Sequence, residues 1–472
     1  MRQVEVQALA PERLEALIGT ERTERFEQLA ASARTLLAGR RVVNVNSTPT
    51  GGGVAELLQT LLAYARGVGI DARWHVIDGA PGLFEITKRV HNRIYGERGD
   101  EGRLGPAERA RYEEALRPNA AELAALAEWR DIVILHDPQT AGLASAARAT
   151  GAAVVWRCHV GRDSPNEHTR EGWEFVRPYV EDVDAYVFSR AEFAPEWIDR
   201  RRLHVIPPSI DPFSAKNQPV DAPAVRSILQ FVGLLGGSAD PPTVPFARRD
   251  GSPGRIDCRV DLLQTGPPPP PDAPLVVQLS RWDHLKDMAG VLRGFVDHVA
   301  DGSDAHLALV GPAIDGVQDD PEAGLALDEC VLAWRDLPQA LRARVHLACV
   351  PMQDADEAAI IVNALQRHAT VVTQKSLAEG FGLTVTEAMW KRRPVVASRV
   401  GGIADQITDG RHGLLIDDPV DLEGFGAAIR SVLADQELSE RLAAAGYERA
   451  YDEYLGDRHL ERYAALFAGF SS

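Results

Sequence analysis

Four cysteines in 472 residues, no long apolar run and no surplus of positive charge set the first limits. Cys158, Cys258, Cys330 and Cys349 form no CxxC pair and no metal-ligand spacing. Scattered thiols in so long a chain read as reduced core residues of a cytoplasmic protein, and no metal site is expected. No stretch of about 18 apolar residues occurs, so a membrane partner is not expected. The opening MRQVEVQALAPERLEALIGT is charged throughout and lacks the apolar heart of a signal peptide. Lys and Arg number 51 against 68 Asp and Glu, a net charge of −17. That balance leaves no basic stripe for a nucleic-acid backbone. No unit of roughly 20–50 residues repeats, which excludes a solenoid.

What is present is an alternation of short apolar runs with helical patterns. The length predicts two domains of roughly 200 residues each. RVVNVN reads as a strand, and Val54, Leu57, Leu58, Leu61 and Leu62 then recur with helical spacing. ARWHVI, DIVILHD, AAVVWRCH, AYVFS and LHVIPPSID continue a strand series. A second series runs through LVVQLS, AHLALVG, RVHLACV, ATVVTQ, RPVVAS and HGLLID. Strands alternating with helices predict an α/β fold with two mostly parallel, doubly wound sheets. A ligand cleft is expected between the halves, at the carboxyl ends of the strands. The expected domains are 1–214, with a helical appendage at 1–40, and 275–450, followed by a C-terminal helix at 451–472. Residues 215–274, rich in Pro and Gly and including GPPPPPDAP, are expected to be a linker carrying an insertion.

Three stretches carry chemistry. In QKSLAEGFGLTVTEAMWK, Glu379 and Glu387 flank Gly380, Phe381, Gly382 and Leu383. Glycines let backbone approach a ligand, and N–H groups at a helix start suit an anion or a sugar hydroxyl. Glu387 is expected in the first helical turn, where its carboxylate could accept from vicinal ribose hydroxyls. In SRWDHLKD, Arg281 and Lys286 supply the forked and the point-like cation that a diphosphate needs. The triplet Gly51, Gly52 and Gly53 follows the first core strand but matches neither a dinucleotide fingerprint nor a P-loop. Alone it fits a tight turn as well as a ligand loop.

E-x7-E with an upstream R-x4-K resembles the nucleotide-sugar site of family 4 retaining glycosyltransferases, which have the GT-B fold of two Rossmann-like domains facing a central cleft. With VNVNSTPTGGGVAELL, HDPQ, WRCHV, PPSIDP and EGFGLTVTEAMWK, the chain from about Val42 to about Asp417, apart from the 215–274 insertion, resembles trehalose synthases of the glycosyltransferring type. The resemblance implies glucose transfer from a nucleotide diphosphate glucose to glucose, giving α,α-trehalose with retention. A retaining trehalose phosphorylase, or a family 4 enzyme with another sugar acceptor, is the alternative. Arg281, Lys286, Glu379 and His159 are then the expected catalytic residues. Gly51, Gly52, Gly53, Gly380, Phe381, Gly382, Leu383 and Glu387 complete the donor site, and His136, Asp137 and His159 the acceptor site. The C-terminal helix is expected to pack back on the first domain. The implied partners are small molecules, with no tightly bound cofactor, Mg at most a stimulant, and a homodimer compatible with the family.

Overall fold

A computed structural model describes all residues except 50–52, 80, 101, 238–239, 241–244, 264–265, 315–320 and 472. Its chain divides into two units, Met1–Ser209 with Gly456–Ser472, and Ile210–Leu455. The first boundary therefore falls at 209/210, and the returning segment starts at Gly456. The chain crosses between the units twice.

The first unit is built on a seven-stranded sheet. Its strands are β1 (Arg2–Val4), β2 (Val42–Asn46), β3 (Ala72–Val76), β4 (Ile132–His136), β5 (Ala153–Cys158), β6 (Ala185–Phe188) and β7 (Leu203–Val205), in the order β1-β3-β2-β4-β5-β6-β7. All neighbours are parallel except β1, which pairs antiparallel with β3, Gln3 opposite His75. β2, β4 and β6 are buried at every residue, which explains runs such as IVILH: both faces are covered by helices. The sheet order reverses between β2 and β4, so the switch-point crevice opens beyond their carboxyl ends.

The 1–40 stretch is not wholly helical. β1 extends the sheet edge before the helix Glu15–Leu36, and three residues are too few to show a period in the sequence. The final helix, Gly456–Ala468, belongs to this unit. It places Tyr463, Leu466 and Phe467 in a cluster with Val42, Leu61 and Ile134. Its Asp457 forms a buried bidentate pair with Arg22, at 2.6 and 2.9 Å.

The second unit holds a two-stranded hairpin, β8 (Phe246–Ala247) with β9 (Pro253–Gly254), and another seven-stranded sheet. That sheet comprises β10 (Asp261–Leu262), β11 (Leu275–Leu279), β12 (His306–Pro312), β13 (Val345–Val350), β14 (Val371–Gln374), β15 (Val395–Ser398) and β16 (Leu414–Ile416). The order is β10-β13-β12-β11-β14-β15-β16, with only β10 antiparallel, and it reverses between β11 and β14.

Residues 215–274, expected as a linker, lie within this unit. Asp221 caps the helix Ala222–Val232 by accepting from Ala224 N–H, and Gly233 ends it in the left-handed region at φ 91°. The helix buries Val225, Ile228, Leu229 and Val232 in the same core as β11 and β14. The prolines that follow rule out a long element, yet they leave this amphipathic turn-and-edge layer intact.

Candidate active site

In the second unit, the loops after β11 and β14 meet at the switch point. Lys286 Nζ lies 2.6 Å from Glu379 Oε2, and Ser376 Oγ donates to the same oxygen at 3.2 Å. Both charged side chains are largely buried, at 14% and 12% exposure. Arg281 is more open, and its Nη2 lies 3.0 Å from Asp283 Oδ2. Two buried residues without a recognisable motif hold this loop. Gln278, inside β11, donates to Lys286 O at 2.7 Å and accepts from Lys375 N–H at 3.0 Å. Lys375, fully buried, donates to Asp287, which adopts φ 45° and caps the helix Met288–His298 through Gly290 N–H.

The glycine stretch opens the helix Leu383–Trp390, with Gly382 at φ 84° as its N-cap. Gly402 packs against it: its N–H donates to Gly380 O at 3.2 Å. A Cβ on Gly402 would stand 2.6 Å from Phe381 Cα and 2.9 Å from Gly380 O. Gln406 donates its amide to the Phe381 and Gly382 carbonyls, and accepts from Thr386 Oγ1 at 2.6 Å. The loop is thereby held open from behind, leaving the first N–H groups of the helix for a ligand.

Glu387 is the fifth residue of that helix, just past the first turn in which the sequence placed it, because Gly382 is the cap and the helix starts at Leu383. It is buried, and its Oε1 lies 3.6 Å from Lys216 Nζ. Lys391, one turn on, is fully enclosed. Its Nζ donates to Asn217 Oδ1 at 2.9 Å and to Gln366 Oε1 at 2.7 Å. Burial pushes its pKa down to about 7, against the opposing pull of Glu387. Lys216 and Asn217 come from the stretch read as a linker, so that stretch contributes to the surroundings of Glu387.

In the first unit, the ends of β4 and β5 bring His136, Asp137 and His159 together. The two imidazoles stack at 5.5 Å, with His136 Nδ1 3.2 Å from His159 Nε2. Asp137, at φ 63°, accepts the His159 N–H at 2.7 Å. Burial pushes its carboxyl up to about 7, although that N–H and the Arg157 charge oppose the shift. Burial, reinforced by Arg157, holds both histidines well below the usual imidazole range. Arg157 is the node. Its guanidinium is buried and donates to His159 Nε2 at 3.1 Å, to Ile206 O at 3.3 Å and to the Tyr463 hydroxyl, and contacts His459 Nε2 at 3.3 Å.

These contacts fix the tautomers. Arg157 makes His159 Nε2 an acceptor, so the proton of neutral His159 sits on Nδ1. His136 Nδ1 must then donate to His159, leaving His136 Nε2 bare towards Asn44, 3.0 Å away. Asn44 satisfies it by presenting its NH2 group; in the opposite orientation Asn44 Nδ2 is buried without a partner. His159 is therefore a neutral hydrogen-bond donor. Gly51 and Gly52 lie outside the described residues, and Gly53 is the exposed first residue of the helix Gly53–Gly67. Arg157, Asn44, Lys216 and Lys375 escaped the sequence reading because each acts through partners distant in the chain.

Residues 44–195 match the family "Trehalose synthase, N-terminal domain", and residues 264–449 match "Glycosyl transferases group 1". The trehalose synthase of Rubrobacter xylanophilus is 35% identical over 435 residues, covering 92% of this chain and 91% of that protein. That of Pyrococcus horikoshii is 33% identical, covering 95% and 93%.

The chain belongs to the trehalose synthase family.

As a member, it is a glycosyltransferase acting in trehalose-related glycosyl transfer. Its GT-B fold is shared by the UDP-forming α,α-trehalose-phosphate synthase of Burkholderia vietnamiensis, with a TM-score of 0.65, 14% identity and coverage of 92% and 99%. A trehalose phosphorylase of Grifola frondosa is 24% identical over 86% of this chain and 54% of its own length. Within the trehalose synthase family frame, the two half-sites lie at the switch points of their respective sheets.

Proposed function

We propose that this protein is a retaining glucosyltransferase that moves glucose from a nucleotide diphosphate glucose to free glucose, forming α,α-trehalose. The observation that carries the reading is the Lys286–Glu379 pair beside an open helix start. A cation and a carboxylate at one switch point suit a donor that is itself a phosphate joined to a polyol. Arg281 and Lys286 take the diphosphate, and the negative charge that grows on it as the bond to C1 breaks. Glu379 and the N–H groups around Gly380–Leu383 hold the glucose hydroxyls. Glu387 takes the ribose hydroxyls, with Lys216 beside it. His159 donates through Nδ1 to a sugar hydroxyl, and Asp137 orients both His159 and the acceptor.

Retention follows if the acceptor oxygen bonds C1 on the face from which the diphosphate departs. The acceptor proton then passes to the leaving phosphate, and no separate base is needed. No resident cofactor enters this scheme; Mg would act only on the diphosphate. The similarity to trehalose phosphorylases favours one competing reading, transfer between trehalose and phosphate. One assay separates the two. The protein is incubated with glucose and ADP-, UDP- or GDP-glucose, and separately with trehalose and phosphate, with products followed by NMR. Trehalose from a nucleotide-glucose supports the proposal. Glucose 1-phosphate from trehalose and phosphate, with no nucleotide-dependent product, overturns it.

A further inference from the structure

We propose that the amino-terminal edge of the first unit's sheet carries a binding site for a small phosphate monoester, remote from the transfer chemistry. A cavity of about 490 Å³ opens there, lined by Arg40, Arg130, Asp184, Leu36 and Phe470 and by the backbone of Gly151. Arg40 stands just ahead of β2 and is only 7% exposed. Its Nε donates to Arg130 O at 2.6 Å, and its two Nη groups make no hydrogen bond to a described residue. The acid nearest in sequence, Asp131, is occupied by Arg41 at 2.6 Å. Arg130 lies with its guanidinium 5.4 Å from the Trp129 ring centre and pairs with no described carboxylate. Burial, then the Arg130 charge, push the Arg40 pKa down.

Two arginines thus line one cavity in a chain of net charge −17. Asp184 returns a single negative charge, and that carboxylate already accepts Val154 N–H at 2.8 Å and stands 3.8 Å from Arg148. The excess is positive, with Arg40 buried and Arg130 and Asp184 exposed at the rim. A phosphate dianion matches two forked guanidiniums in charge and geometry. The cavity exceeds bare phosphate in size, and the Leu36 and Phe470 walls leave space for an organic body.

The site is distinct from the half-site of His136 and His159. Arg40, Arg130, Gly151 and Asp184 stand just ahead of β2, β4, β5 and β6, whereas His136, Asp137 and His159 lie at or beyond the carboxyl ends of β4 and β5. Five strand residues put about 17 Å between the two edges. Substrates of open α/β sheets bind at the carboxyl edge, so an occupant here is an effector.

Isothermal titration of glycerol 3-phosphate into the full-length Arg281→Ala protein tests this with the diphosphate cation removed. Binding is expected there, and at least about tenfold weaker binding after Arg130→Ala is added. Arg130→Ala is the secure variant, since its side chain makes no hydrogen bond to a described residue; Arg40→Gln in the same background is expected to abolish binding. Loss of binding on Arg281→Ala alone, or unchanged binding in both double variants, overturns the proposal. Inorganic phosphate binding as tightly as glycerol 3-phosphate overturns the monoester assignment.

Discussion

Asp137 is a carboxyl held close to ionisation at neutral pH, pushed up to about 7 by burial. Asp137→Asn keeps its shape but alters what it offers His159 and the acceptor. We expect kcat to fall about 100-fold or more, with the KM for nucleotide-glucose little changed and the activity profile near pH 7 flattened. Steady-state kinetics across pH check this, and an unaltered profile would remove Asp137 from the reaction. Arg281 is exposed enough to be cut back without a cavity. Arg281→Ala should lower kcat by about 100-fold with the melting temperature unchanged; normal turnover would sink its assignment to the leaving phosphate. The buried histidines give a stability signature. His136, His159 and His459 are neutral when folded, held down by burial and by Arg157. Unfolded, they take up protons near pH 6.5, so their contribution is present above that pH and lost as pH falls. Asp137 runs the other way below about 7, since the folded state keeps its proton. Three protons against one leave the unfolded state favoured on acidification. Calorimetry from about pH 7.5 to 5 should show a falling melting temperature, and below about pH 6.5 the unfolding free energy should fall less steeply in His459→Gln, by up to about 1.4 kcal/mol per pH unit. A flat wild-type curve would contradict this reading.

At the scale of elements, the donor-side loop depends on a second loop, the one that follows β15. Gly402 lies against Phe381 Cα and Gly380 O so closely that any Cβ must move backbone. Gly402→Ala should therefore displace the loop at Gly380–Gly382 and raise the Kd for nucleotide-glucose about tenfold or more, with the fold retained. Unchanged binding by calorimetric titration would show that the loop tolerates the shift. Gly401 and Gly402 follow the run RPVVAS in the sequence, but the contact of Gly402 with Phe381 joins two crossovers more than fifteen residues apart and leaves no local pattern. The helix starts one residue ahead of the favoured run for a related reason. Propensity favours TVTEAMW as the helix, but Gly382 in the left-handed region caps it earlier and carries Glu387 into the second turn.

At the scale of the molecule, the last helix is the test of how the chain is divided. Gly456–Ala468 belongs to the first unit although the whole second unit precedes it in sequence. Tyr463, Leu466 and Phe467 are buried there, and Tyr463 and His459 hold Arg157. Losing two or three such side chains costs about 2–5 kcal/mol each, comparable with the whole stability of a domain. A chain truncated after Leu455 should keep a protease-resistant second unit and lose the first, read by limited proteolysis and mass spectrometry. Equal resistance of both units would place the helix outside the first core.

Periodicity alone determined the two strand series, since buried parallel strands must be continuous apolar runs and their covering helices must be amphipathic. Glycine and charge spacing singled out Glu379 with Glu387 and, separately, Arg281 with Lys286; the family resemblance joined the two pairs. Tertiary structure decided the rest. It drew Ala222–Val232 and Lys216 out of a supposed linker and into the second unit. It joined Arg157 to His159 and the C-terminal helix, and left Arg40 and Arg130 lining one cavity. The reason is common to all three. Burial and hydrogen-bond satisfaction are set by which distant segments share a layer, and a one-dimensional pattern records which face of an element is apolar but not what lies against it.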